Sequence, residues 1–245
     1  MENSRIGEIH TNREDCKMVI IAYRGCMDCD VQFEDGTIIK SRQYSDVVRR
    51  KVKNPYYPSV CNKGFIGIGE YQKSDNGKIT KVYAKWSDML RRCYDQKYHK
   101  IRPTYIGCTV DSQWLNFQVF AKWFEENYRE NFVLDKDILI KGNKIYSSKV
   151  CRFVPNEINS LFTKSDKTRG KYPIGVKPNK GGFQAYCNIS GKQETLGTFK
   201  TPEKAFQAYK KAKEKEIKSI ANFCKNIIPI DIYETMVNYK VEITD

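Results

Sequence analysis

The first 56 residues carry apolar positions in short runs. Residues 17–24, 30–33 and 37–41 are rich in Val, Ile, Tyr and Phe, and Glu34-Asp35-Gly36 supplies a tight turn between the last two runs. This pattern predicts a small N-terminal β module. A short basic segment, 45–53, follows it, and then "NPYYPSV" (54–60), whose two prolines interrupt regular structure and which is expected to act as a linker.

The period then changes from two to about 3.6. In "YAKWSDMLRRCY" (83–94) Trp86, Leu90 and Cys93 recur at helical spacing and Met89 widens the stripe. A second helix is expected from about Trp114 to Tyr128. Asp111 or Ser112 is a candidate cap, and Phe117, Phe120, Ala121 and Phe124 form the buried face. Aromatic residues at such spacings build cores, so none of them is assigned a ligand. Next comes "VLDKDILIKGNKIYSSKVCRFVPNEIN" (133–159), read as strand, turn at Gly142-Asn143, strand over 150–154, and a short helix from Asn156.

Residues 163–173, "TKSDKTRGKYP", are polar, basic and bounded by Gly and Pro, which reads as a second linker. Beyond it, turns at Gly181-Gly182 and Ser190-Gly191 separate three strands, and a helix opens at Thr201-Pro202, with Thr201 as N-cap and proline at the first helical position. In the middle strand Phe183, Ala185 and Cys187 alternate with Gln184, Tyr186 and Asn188. The first set suits the Ala205, Ala208, Tyr209, Ala212 face of the helix. The second faces outward, beside Lys177, Lys180, Gln193 and Thr195. The divisions expected are a β module (1–56), a middle domain (57–165), a sheet-and-helix domain (166–225) and a C-terminal tail (226–245), which makes the fold class α+β.

Charge then points to a partner. The chain of 245 residues has a formal net charge of +14, and residues 161–225 hold 15 Lys or Arg against 5 Asp or Glu. Such an excess concentrates polyanions at the surface, and nucleic acid is the commonest of them. A basic outer face of Lys177, Lys180, Gln184, Tyr186, Asn188, Gln193 and Thr195 suits a DNA major groove, where amides pair with adenine edges and lysines reach guanine or phosphate. No apolar run approaches the roughly 20 residues that span a bilayer, and the N-terminus carries no apolar signal core. The expectation is a cytoplasmic protein with no membrane partner. Among nine cysteines only Cys26 and Cys29 form a close pair. A zinc site normally shows a second such pair, so reduced thiols are expected instead.

The segment "IGV…GGFQAYCNISGKQETLGTFKTPEKAFQAYKKA" resembles an AP2 DNA-binding domain: a G-V first strand, an aromatic-x-A second strand, an L-G-x-F third strand and a T-x-E-x-A-x-x-A-Y helix. The resemblance implies a three-stranded sheet packed on a helix, with the sheet in the groove of duplex DNA. That family usually reads DNA with several arginines and tryptophans, where this chain has Lys, Gln, Tyr, Asn and Thr.

The middle of the chain resembles the HNH-type endonuclease domain of phage homing endonucleases. The shared elements are W-x-x-M-x-x-R-C-Y, C-x-V-x-x-x-W-x-x-F, L-D-x-D, G-N-x-x-Y-S and C-R-[FW]. The resemblance implies a ββα hairpin-and-helix site with one divalent metal, Mg²⁺ or Mn²⁺. Asp135 matches the strand ligand and Asn159 the helix ligand. Lys136 stands where the general-base histidine is usual, and Asp137 is a substitute base. Val150 occupies the place of the bracing asparagine, with Asn143 near in sequence. His99 is the one histidine weighed as approaching from elsewhere. Two functions follow from the resemblance. One is a phage-type endonuclease that nicks or cuts double-stranded DNA in the host cytoplasm. The other is a catalytically weak or dead relative, acting as a DNA-binding regulator or as an inhibitor of a host defence protein engaged through the N-terminal module.

Overall fold

The computed structural model describes residues 4–162 and 171–243 and has a mixed α+β architecture. The backbone divides into two compact units, 1–126 and 127–245.

The first unit opens with an antiparallel meander, β1 (Ile9–Thr11), β2 (Lys17–Tyr23), β3 (Cys29–Phe33) and β4 (Ile38–Arg42), in sheet order β1-β2-β3-β4. Three of these strands fall where the apolar runs place them. The three-residue β1 has no apolar run of its own and is defined by its pairing of His10 with Met18. Helix α1 (Tyr44–Val48) closes over the sheet, and Met18, Ile20, Val31, Phe33 and Val47 form the core. The proline-bounded stretch 54–60 is irregular but anchored: Asn54 Nδ2 donates to Asp35 Oδ2 at 2.7 Å, and the Gly67 amide donates to the Pro55 carbonyl oxygen at 2.9 Å.

A two-residue hairpin, β5 (Ser74–Asp75) with β6 (Lys78–Ile79), leads to α2 (Lys81–Tyr94) and α3 (Gln96–Ile101). Thr80 caps α2 by accepting from the Tyr83 amide, and Asp95 ends α2 while capping α3. After the short strand β7 (Thr109–Val110), Asp111 caps a 3₁₀ turn, Ser112–Leu115, and not the following helix. Helix α4 (Phe117–Asn127) begins only after Asn116, whose side chain accepts from the Gln118 amide at 2.9 Å. Its buried residues are Phe117, Phe120, Ala121 and Phe124, the set that helical spacing predicts. Trp86 is buried against Phe117 and donates Nε1–H to the Trp114 carbonyl oxygen at 2.8 Å. That bond satisfies the polar edge of an otherwise apolar side chain.

In the second unit, β8 (Phe132–Asp135) pairs antiparallel with β10 (Arg152–Pro155), with the short β9 (Ile145–Tyr146) between them in sequence, and α5 (Asn156–Leu161) follows β10 directly. A three-stranded antiparallel sheet follows: β11 (Val176–Asn179), β12 (Gly182–Ile189) and β13 (Lys192–Phe199). Helix α6 (Pro202–Cys224) packs on its inner face, where Ala185, Cys187, Ala205, Phe206 and Tyr209 are buried together. Thr201 caps α6 by accepting from the Lys204 amide, as expected. Gly175 must be glycine: its φ is +72°, and a Cβ would sit 2.0 Å from the Tyr209 ring.

Two expectations change here. Residues 226–245 are not a loose tail. Helix α7 (Ile230–Val237) buries Ile232 and Met236, and Val241 is buried beneath the three-stranded sheet. The cause is legible afterwards: Ile228, Ile232 and Met236 recur every four residues and present one apolar stripe. The compact units also divide inside 57–165, after residue 126. The hairpin buries Ile138, Val154 and Ile158 with Ile217, Ala221 and Cys224 of α6 and with α7, so its core belongs to the second unit. Of the linker read at 163–173, residues 163–170 lie outside the described residues, while Tyr172 packs edge-on against Phe183.

Candidate functional site

Two places in the second unit carry polar chemistry. The first is the loop after β8. Asp135 ends that strand opposite Arg152. Its side chain is buried, and Oδ1 accepts from the amides of Asp137 at 2.9 Å and Ile138 at 2.8 Å, which turns the chain sharply. Burial, together with the neighbouring Asp137 carboxylate, pushes the Asp135 pKa up to about 6.

Lys136 is buried as well, and its ammonium makes two hydrogen bonds. Nζ donates to Asp137 Oδ2 at 2.9 Å and to the Asn143 carbonyl oxygen at 2.7 Å. Asn143 returns the contact, with Nδ2 donating to the Lys136 and Ile145 carbonyl oxygens at 2.7 Å each. The two residues clasp the 136–145 loop from both sides. Asn143 thus braces the loop, which the apolar side chain of Val150 has no polar atom to do. Asn159 lies half-exposed on α5, one residue past the buried Ile158. His99 is tied within the first unit, its Nε2 2.8 Å from the Arg92 carbonyl oxygen.

Two neighbours were not anticipated. Arg152 is gripped at both Nε and Nη2 by Asp231 of α7, at 2.8 and 2.7 Å. Cys151 is fully buried, and burial pushes its thiol up to about 12. Without a metal it therefore stays protonated at neutral pH. Among the described residues no three His, Cys, Asp or Glu side chains converge. The carboxylates of Asp135 and Asp137 stand side by side in this loop, and Asn159 of α5 carries an amide oxygen; all three are oxygen donors of the type Mg²⁺ or Mn²⁺ accepts.

The second place is the outer face of the three-stranded sheet. Cross-strand register sets Lys177 opposite Gln184, Tyr186 opposite Thr195, and Asn188 opposite Gln193. Six side chains chosen from strand alternation are thus three directly paired couples. Lys177, Asn188, Gln193 and Thr195 are exposed, Gln184 and Tyr186 half-exposed, and Lys180 stands exposed in the turn after β11. The Lys177 ammonium lies 5.2 Å from the Tyr186 ring centroid.

Sequence alternation missed one feature of this face. A β-bulge at Leu196 separates the pairs Ala185–Gly197 and Tyr186–Thr195, and Gly197 takes a φ of +132° to allow it. The bulge keeps Leu196 on the core side and Thr195 outward. It also brings Thr198 opposite Gln184, adding a hydroxyl to the row that begins at Lys177. A glycine inside a strand was the available signal. Compared with protein-family models, curated proteins and solved structures, the chain matches none. Among the described residues no helix is long and apolar enough to cross a membrane.

Proposed function

We propose that this protein binds double-stranded DNA through the outer face of β11–β13, in the manner of an AP2-like domain. The observation that carries the reading is the cross-strand alignment of Lys177 with Gln184, Tyr186 with Thr195 and Asn188 with Gln193 on one accessible, basic face. Amides there can pair with adenine edges, and lysines contact phosphate or guanine. The matching test is a gel shift with double-helical oligonucleotides at low salt. Retardation at micromolar protein, lost in a Lys177→Ala, Gln184→Ala double variant, supports the reading; no retardation of any duplex rejects it.

The carboxylate pair favours a second reading, an HNH-type endonuclease using Mg²⁺ or Mn²⁺ held by Asp135 and Asn159. A bound ion would supply charge neutralisation at the scissile phosphate. The chain's own residues do the remaining work. Asp135 fixes the turn through two backbone amides, and Asp137, whose Oδ2 accepts from Lys136, is the candidate to accept a proton from water. Lys136, in the position of the usual base, already donates to Asp137 and to Asn143. That arrangement favours binding over cleavage, and we assign the protein weak or absent nuclease activity. A supercoiled-plasmid assay with Mg²⁺ or Mn²⁺ decides: efficient nicking by the wild type, abolished in Asp135→Ala, would establish the enzyme. Nicking gained only in Lys136→His would trace the deficit to that residue.

A further inference from the structure

The three-stranded sheet and the hairpin site share one element, α6. Ala205, Phe206 and Tyr209, near the start of α6, are buried under the sheet, while Ile217, Ala221 and Cys224, near its end, are buried under the hairpin and α5. We infer that α6 is a rigid spacer that fixes the displacement between the DNA-gripping face and the Asp135 loop, so that any duplex held by the sheet meets the loop at one set distance. The inference rests on the DNA-binding reading above.

Three observations support it. First, the helix runs unbroken over 23 residues, with no proline or glycine after its first position. Second, its midpoint is fastened by polar contacts. Buried Glu216 accepts at Oε1 from the Ser190 amide in the β12–β13 turn at 2.8 Å, and Glu214 accepts at Oε1 from the Val241 amide at 2.9 Å. Third, the C-terminal segment bridges both cores. Tyr239 packs against each, and Val241 belongs to the sheet core, while Ile232 and Met236 belong to the hairpin core. From Ala205 to Ala221 the helix rises about 24 Å, the axial separation of its contacts with the two cores.

A flexible tether would let the loop sample many positions along the duplex. A fixed spacer permits one, and it converts sequence preference at the sheet into positional preference at the loop. Lys215 is exposed and lies between the two groups of buried residues, so Lys215→Pro breaks the helix, and the Glu214 and Glu216 fastenings beside it, without replacing a core side chain.

The test measures the spacer with and without DNA. Spin-labelled amino acids at positions 148 and 200, both exposed and neither in the proposed DNA-binding face, report the distance between hairpin and sheet by pulsed dipolar spectroscopy. A single narrow distance, unchanged by a bound duplex, is expected for the wild type, with a broadened distribution in Lys215→Pro. A broad distribution in the wild type overturns the inference even if Lys215→Pro fails to fold. A photo-crosslinking residue at position 148 then maps the loop on a duplex selected from a random pool. Crosslinks confined to one or two adjacent base pairs support the spacer, and crosslinks scattered over a full turn overturn it. If no duplex binds while the distance stays narrow, the DNA-binding reading fails and the positional inference falls with it. If duplex binds while the distance is broad, the spacer alone fails.

Discussion

A single carboxylate shows how stability and chemistry pull against each other in this loop. Asp135 holds the turn by accepting two amide hydrogen bonds, yet it is buried beside Asp137 and its pKa rises to about 6. With a folded pKa above its unfolded value of ~3.9, the native state binds the proton more tightly. The stabilising contribution is therefore complete below about pH 4 and is lost as pH rises to about 6. Asparagine at this position keeps the amide acceptor and removes the charge. Asp135→Asn, with divalent metal chelated, is expected to raise stability at pH 7 by about 1–2 kcal/mol and to flatten the pH dependence between 4 and 6. Thermal melts across that range check both. The same variant should lose any Mg²⁺-dependent rise in Tm, since a metal that binds only the native state stabilises by mass action. A wild type that gains stability steadily from pH 4 to 6 contradicts the account. Asn143 offers a complementary case: Asn143→Ala removes both returning donors of the clasp and should destabilise by about 1–3 kcal/mol, with faster amide exchange confined to 136–145.

At the scale of elements, glycine tests how far local geometry is determined. Gly175 precedes β11 at a φ of +72°, with the Tyr209 ring where a Cβ would stand. Gly175→Ala combines backbone strain with overpacking and should cost about 3 kcal/mol in chemical denaturation, against a few tenths for Gly181→Ala, which has open space around it. Much of this element structure was legible in the sequence. The aromatic stripe of α4, the capped start of α6 and the outward row of β12 each follow from a period that one face of one element imposes. Three features were not legible, for different physical reasons. Strand β1 is only three residues long and owes its conformation to its partner β2. The α4 cap moved from Asp111 to Asn116 because a 3₁₀ turn intervened, a choice between neighbouring polar residues that no periodicity makes. Helix α7 was overlooked because its stripe of Ile228, Ile232 and Met236 is short and its covering partner, the hairpin, is about 80 residues earlier in the chain. At the site, strand phase gave the paired face of the sheet, whereas Asp135 was picked out only by the resemblance to the HNH domain. The clasp of Lys136 and Asn143 depends on a seven-residue loop closing on itself, and that closure has no sequence period.

For the whole molecule, electrostatics separates grip from reading. The formal charge of +14 attracts any polyanion, so affinity for DNA alone says little about what the sheet recognises. Salt dependence divides the two, because each phosphate neutralised by a lysine steepens the fall of log affinity against log salt concentration by about 0.9. Lys177 and Lys180 sit at the margin of the face, on β11 and in its following turn, where they can reach phosphates. Gln184 and Asn188 lie within it, four residues apart on β12 and about 13 Å from each other along the strand. Replacing both lysines with alanine should make the salt slope shallower by about 2 and weaken all duplexes alike. Gln184→Ala should leave the slope unchanged and lower the preference for a favoured duplex by about 1–3 kcal/mol, with adenine the base whose replacement matters least in that variant. Fluorescence anisotropy over a salt series, on a selected duplex and on a scrambled one, measures both quantities from the same titrations. If Gln184→Ala reduces the slope as much as the lysine pair does, the outer face is only a charged surface and the amides read nothing.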